Sequence, residues 1–138
     1  MSQRFCAMVL TALVLATASA ACSGHTVPQK TARITVDNNT RTSQAVSCTQ
    51  LQWLLTMDIS ATPAHVRAVL NLQADKPKPE SVNIDNFNGF SGIADSGAGS
   101  AQAAFAHDTY TITGAAQQTN PDNPNTPTTA TFRIEAKC

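Results

Sequence analysis

The chain has 138 residues, with nine Lys and Arg against nine Asp and Glu. That length holds one domain with a modest core, and the balanced charge lacks the basic stripe that binds nucleic acid and the acidic run of a solvating tail. Four cysteines and three histidines leave little material for a metal site.

Arg4 is the only charged residue before His25, and an apolar run from Phe5 to Ala16 follows it. The small residues Thr17 to Ala21 come next. A short basic region, an apolar core of about 7–15 residues and small residues at the cut site make a secretory signal. A membrane-spanning helix needs about 20 apolar residues, and this run passes into small and polar residues first. Residues 1–21 are therefore expected to be a signal peptide. The segment Ser19-Ala20-Ala21-Cys22-Ser23-Gly24 resembles a bacterial lipobox, in which the cysteine sulfur receives a diacylglycerol; Ser19 stands where the usual pattern has Leu, Val or Ile. Cleavage by an ordinary signal peptidase at an Ala-x-Ala-like site is the alternative.

Cysteine counting favours lipidation of Cys22. Cys6 leaves with the signal, so an acylated Cys22 leaves Cys48 and Cys138, an even number in an oxidising compartment. One disulfide between those two is expected, two buried free thiols being the competing reading. Residues 22–32 read as a lipidated cysteine and polar tether, and residues 33–138 as a β-domain.

Within that domain, Arg33 to Asp37 alternates and Asn38-Asn39 supplies a turn. Ser43 to Gln50 and Gln52 to Ile59 read as strands. Thr62-Pro63 has the form of a helix start, yet Val66, Ala68, Leu70 and Leu72 fall at period two and argue for a strand. Ser81 to Phe87 alternates, with Val82, Ile84 and Asn86 expected on one face. Gly89 to Ser100 and Asn120 to Thr128 read as loops. His107-Asp108 is a tight turn between Ala103–Ala106 and Thr109–Thr113, and Ala130, Phe132, Ile134 and Ala136 mark the inward face of a last strand. The expected fold is all-β, a small antiparallel sandwich or partial barrel.

The ordered series of Cys22, short tether, Ala45-Val-Ser-Cys48-Thr49 and Val82-Asn-Ile-Asp-Asn-Phe-Asn-Gly89 resembles the mycobacterial LpqH-type lipoprotein antigens. So do Gly97 to Ala103, Thr109 to Ala115, the Asn120-Pro-Asp-Asn-Pro loop and Phe132-Arg-Ile-Glu-Ala-Lys-Cys138. The resemblance covers nearly all the chain beyond Cys22. It implies a small β-domain anchored to the envelope, facing outward, with its two cysteines bridged. It further implies antigenicity, recognition of the acylated terminus by host innate immune receptors, and no enzymatic activity. The tether here is shorter and poorer in Thr than that pattern.

Searches for chemistry return little. His25, His65 and His107 are scattered, and no Gly-x-Ser-x-Gly appears. Gly92 to Gly99 lacks the Lys-Ser/Thr end of a phosphate loop. Asp122, Asn123 and Asn125 lack calcium-loop spacing. Nothing in sequence places Asp85 beside Asp95. No catalytic residue, metal or cofactor is expected. Consecutive Trp53, Leu54 and Leu55 cannot all face one side of a strand, so Trp53 and Leu54 are a candidate apolar ligand surface, and a lipid- or glycolipid-binding carrier with an apolar cavity in the β-domain is the alternative function.

Overall fold

The computed structural model describes residues 30–118, 122–123 and 125–138; the signal segment and Cys22 lie outside them. Ten strands are present among the described residues: β1 Ala32–Val36, β2 Asn39–Ser43, β3 Ala45–Leu51, β4 Leu54–Ala61, β5 Ala64–Asn71, β6 Lys78–Phe87, β7 Phe90–Asp95, β8 Ser100–Ala106, β9 Thr109–Gln118 and β10 Thr128–Ala136. All pairings are antiparallel, in the order β2-β1-β10-β9-β7-β6-β5-β4-β3, with β8 pairing β9. The two ends of that order, β2 and β3, are consecutive in the chain and separated only by Gln44. One run of backbone thus pairs first with β1 and then with β4, which curls the sheet into a nearly closed barrel.

Side chains close what the backbone ladder leaves open. The Ser43 hydroxyl donates to the Ser60 carbonyl and accepts from the Ala45 amide, and Arg41 donates to the Thr62 carbonyl. The expected Cys48–Cys138 disulfide is present, joining residues 90 apart in sequence, with Cα atoms 5.8 Å apart. It ties β3 to the segment after β10 across the same seam.

The interior is apolar. Ile34, Met57, Ile59, Val66, Leu70, Val82, Phe87, Ile112 and Ile134 are almost fully enclosed, and no polar or charged residue is buried among the described residues. Strict alternation puts Ala64, Val66, Ala68 and Leu70 inside on β5, and Ala130, Phe132, Ile134 and Ala136 inside on β10. The period-two reading of both segments holds, and Thr62-Pro63 forms the turn between β4 and β5 rather than a helix start.

Several expectations change, among them the strand expected from Gln52, which begins only at Leu54 because Gln52 and Trp53 form a turn. The first turn is Asp37-Asn38, with φ of 46° and 71°, and Asn39 already pairs with Val36. Positive φ at both central residues suits the right-handed twist of a two-residue hairpin, and Asp and Asn tolerate it. The strand expected over Ser43 to Gln50 breaks at Gln44, where the chain changes partners. Asn86 points outward and Phe87 inward, because the β6–β7 register slips between Ile84 and Phe87 and Asn86 takes φ 52°. A bulge flips the face of every later residue. Finally, the expected loop from Gly89 to Ser100 contains β7 and the first residue of β8, leaving Gly89 and residues 96–99 as turns.

Candidate functional site

Strand directions divide the connections into two poles. At one lie the turns Asp37-Asn38, Thr62-Pro63 and Asn88-Gly89. These are short and polar, and Arg41 spans two of them by donating to the Thr62 carbonyl and, at 2.7 Å, to Asn88 Oδ1. At the other pole lie the Gln52-Trp53 turn, the loop from Leu72 to Pro77, the His107-Asp108 turn and both ends of the domain.

All four exposed large hydrophobic residues sit at that second pole: Leu51 at 76%, Trp53 at 56%, Leu54 at 44% and Phe105 at 50% exposure. Their placement follows from local register. Leu51 pairs with Leu54 across the β3–β4 turn, so Gln52 and Trp53 form its tip and Leu55 becomes the first core residue of β4. The Trp53 carbonyl accepts from the Leu72 amide at 2.7 Å. Leu72 in turn lines a small cleft of about 180 Å³ with Ala74, Pro77, Phe105 and Tyr110. The Phe105 and Tyr110 rings face each other across the β8–β9 turn, centroids 4.4 Å apart. Trp53 and Leu54 are thus solvent-facing together with Leu51 and Phe105, while Leu72 and Tyr110 are half-buried beside them.

The tether enters at this pole. Ala32 pairs with Ala136, Ala136 with Tyr110, and Tyr110 with Phe105. The first residue of β1 therefore shares one cross-strand row with the two aromatic rings. Just outside it the Lys137 amide donates to the Thr31 carbonyl, pinning the tether to the segment that carries Cys138.

On the outer face of β4 and β5, Asp58 accepts from Arg67 Nε at 2.7 Å and lies 3.5 Å from His65 Nε2. The hydrogen bond from Arg67, and then the opposite charge, raise the Arg67 pKa above its ordinary value, so this guanidinium stays charged. His65 also pairs with Asp85 in register, at the edge of a surface cleft of about 700 Å³ that includes Ser91. Ser, His and Asp are neighbours there, but the Ser91 hydroxyl donates to Asp85 at 3.1 Å and accepts from the Asn86 amide. In a nucleophilic triad the hydroxyl is bonded to the imidazole and the carboxylate to its far nitrogen; this arrangement instead props the β6 bulge.

Asp95 accepts from the Gly97 and Ala98 amides, so the Gly-rich turn wraps its own carboxylate. Asp85 and Asp95 fall near opposite ends of the β6–β7 pair. His107 is in an exposed turn and His25 lies outside the described residues. No three His, Cys, Asp or Glu side chains converge as a metal site among the described residues.

The fold and its poles define a small disulfide-closed antiparallel β-domain with an apolar interior and one apolar end. The chain belongs to the family of the Mycobacterium 19 kDa lipoprotein antigen, whose model matches residues 25–138. It is 36% identical over 140 residues to the "Probable lipoprotein LppE" of Mycobacterium tuberculosis, covering all of both chains. It is 37% identical over 141 residues to a protein of Mycobacterium avium subsp. hominissuis, also described as a lipoprotein, covering all of this chain and 97% of that one.

Proposed function

We propose that this protein is an exported lipoprotein, held in the cell envelope by acylated Cys22 with its β-domain facing outward, and that it acts as a non-enzymatic surface antigen and host-interaction module. The observation that carries this reading is Cys22 in its lipobox-like setting, followed by a short tether into a domain of a lipoprotein-antigen family. The lipoprotein names of its relatives support it. Two acyl chains would hold the chain firmly, whereas a single chain gives only marginal binding. The acylated terminus is the chemistry through which host innate immune receptors would engage it. The non-enzymatic part draws on the surface polar groups, which brace turns and the β6 bulge.

A Cys22→Ser variant tests the reading. It is expected to accumulate as unprocessed precursor or be released into the medium, and to lose stimulation of innate-receptor reporter cells. Detergent partitioning and receptor stimulation unchanged from the natural chain would overturn it.

A second reading, a lipid- or glycolipid-binding carrier, is favoured by the exposed Trp53 and Leu54. It rests on surface contact and not on a cavity inside the β-domain, since the inward side chains Met57, Ile59, Phe87 and Ile134 are almost fully enclosed. Mass spectrometry of the natively purified protein after organic extraction decides it: a stoichiometric lipid beyond the covalent acyl groups supports a carrier, and none removes it.

A further inference from the structure

We infer that the tether-proximal pole is a docking face that lies on the lipid surface to which the chain is anchored, with Trp53, Leu51, Leu54 and Phe105 seated at the headgroup level. The inference rests on the anchoring of Cys22 and adds to it a preferred orientation of the domain.

Three observations converge on this occupant. The first is reach. Ten peptide steps separate Cys22 from Ala32, and an extended chain spans at most about 3.3–3.6 Å per residue, so the anchor lies no more than about 36 Å from the pole. Ala32 shares its row with Phe105; three strand spacings of about 4.8 Å put that ring within roughly 15 Å of where the tether enters. The tether therefore leaves from this end and lets it reach the lipid, while the polar Asn88 end lies up to a strand's length further away.

The second is the distribution of apolar surface. Every exposed large hydrophobic residue among those described is at this pole. A solvent-facing Trp beside two Leu and a Phe–Tyr pair is unfavourable in water and suited to an interface, where amphipathic rings settle at the headgroup level.

The third is charge. The four lysines of the chain are Lys30, Lys76, Lys78 and Lys137, and all four belong to the same pole. Lys30 and Lys137 flank the tether entry, while Lys76 and Lys78 rim the Leu54–Asn71–Lys78 row. All are exposed, with Asp75, Glu80, Asp108 and Glu135 as their acidic neighbours. Lysine stems lie along apolar surface while their ammonium groups reach outward, and anionic headgroups attract them. The arginines Arg33, Arg41, Arg67 and Arg133 sit on the barrel wall, three of them paired with Asn88, Asp58 and Glu135.

Trp53 is the only tryptophan in the sequence, so it reports its own environment. The full chain, purified from a mycobacterial host in detergent, is reconstituted into phosphatidylcholine vesicles containing phosphatidylglycerol. Trp53 emission is expected to shift to shorter wavelength and to be quenched by lipids brominated high on the acyl chain, with aqueous iodide losing access. A Leu51→Ser, Leu54→Ser, Phe105→Ser variant is expected to stay on the vesicles through its acyl groups yet populate the docked state at least about tenfold less. These side chains are half exposed, so near-ultraviolet dichroism should show the variant folded. A Lys76→Glu, Lys78→Glu variant should dock more weakly, and added salt should weaken docking of the natural chain. Equal iodide access with and without vesicles, in protein that floats with them, overturns the proposal. So does a blue shift that follows protein concentration and not lipid, which would make a second copy the occupant. The mass of the Cys22 peptide reports anchoring separately. If that peptide is unmodified, the same chain is read at raised lipid concentration, where a quenched Trp53 supports the docking face and an unquenched one removes it.

Discussion

At the residue scale, glycine and asparagine decide where strands can touch. Gly114 pairs with Phe132 on one side and Ala101 on the other, and a Cβ added there would run into the Ser100 carbonyl. The neighbour is backbone and cannot swing away. Gly114→Ala is therefore expected to push β8 off β9 and destabilise the domain by about 1–3 kcal/mol, read as a lowered midpoint in urea. Gly92 contrasts with it, since its added Cβ would meet the Phe90 ring at 2.6 Å, a side chain able to move. Asn86 is the residue at which simple alternation failed. A polar side chain tolerant of positive φ absorbs the bulge, and Ser91, held by Asp85, caps its freed amide. Alternation carries no mark of that extra residue, so period two puts Asn86 on the face of Val82 and Ile84, where Phe87 belongs.

At the scale of elements, the hairpins show why most strands were legible and their boundaries were not. The turn at His107-Asp108 was readable because two polar residues separate two alternating segments, and both adopt positive φ, 54° and 59°. Neither is glycine, which occupies that region without steric cost. Asp108→Gly relieves roughly 1–2 kcal/mol of left-handed strain against about 0.4–1 kcal/mol of added unfolded-chain entropy, so a small net stabilisation is expected, seen as a raised thermal midpoint with unchanged strand content. A lower midpoint would show that Asp108 makes a contact worth more than its backbone strain. Strand β7 escaped notice because Gly89, Gly92 and Ser91 read as loop chemistry. Its pairing comes from β6, whose register places Gly92 opposite Ile84 and Ala94 opposite Val82. Small residues there let the strand lie close under Phe90. The break at Gln44 was likewise invisible, because β2 and β3 are both extended and only their partners differ.

At the scale of the whole molecule, closure depends on a run of chain that changes sheet neighbours and on the bridge that holds it. Cross-linking residues 90 apart removes loop entropy from the unfolded chain, worth about 4–5 kcal/mol on the chain-entropy model. Cys48→Ala with Cys138→Ala is expected to lower unfolding free energy by roughly 3–5 kcal/mol, in urea titrations followed by Trp53 fluorescence. A change below about 1 kcal/mol would mean that the β2–β3 seam holds itself without the bridge. The same closure sorts the surface into a polar pole and an apolar, lysine-rimmed pole, and it gives the short tether its place.

The sequence by itself determined the all-β class, the inward faces of β5 and β10 and the pairing of Cys48 with Cys138. It also carried the family resemblance that the comparisons bear out. Period-two alternation and cysteine parity are local or countable, so they need no coordinates. Only the tertiary structure decided that Leu51, Trp53, Leu54 and Phe105 gather at one end, beside the tether and the four lysines. The β3–β4 turn and Phe105 are distant in sequence, and their meeting depends on register across the sheet, including a bulge and a change of partners that local pattern does not encode.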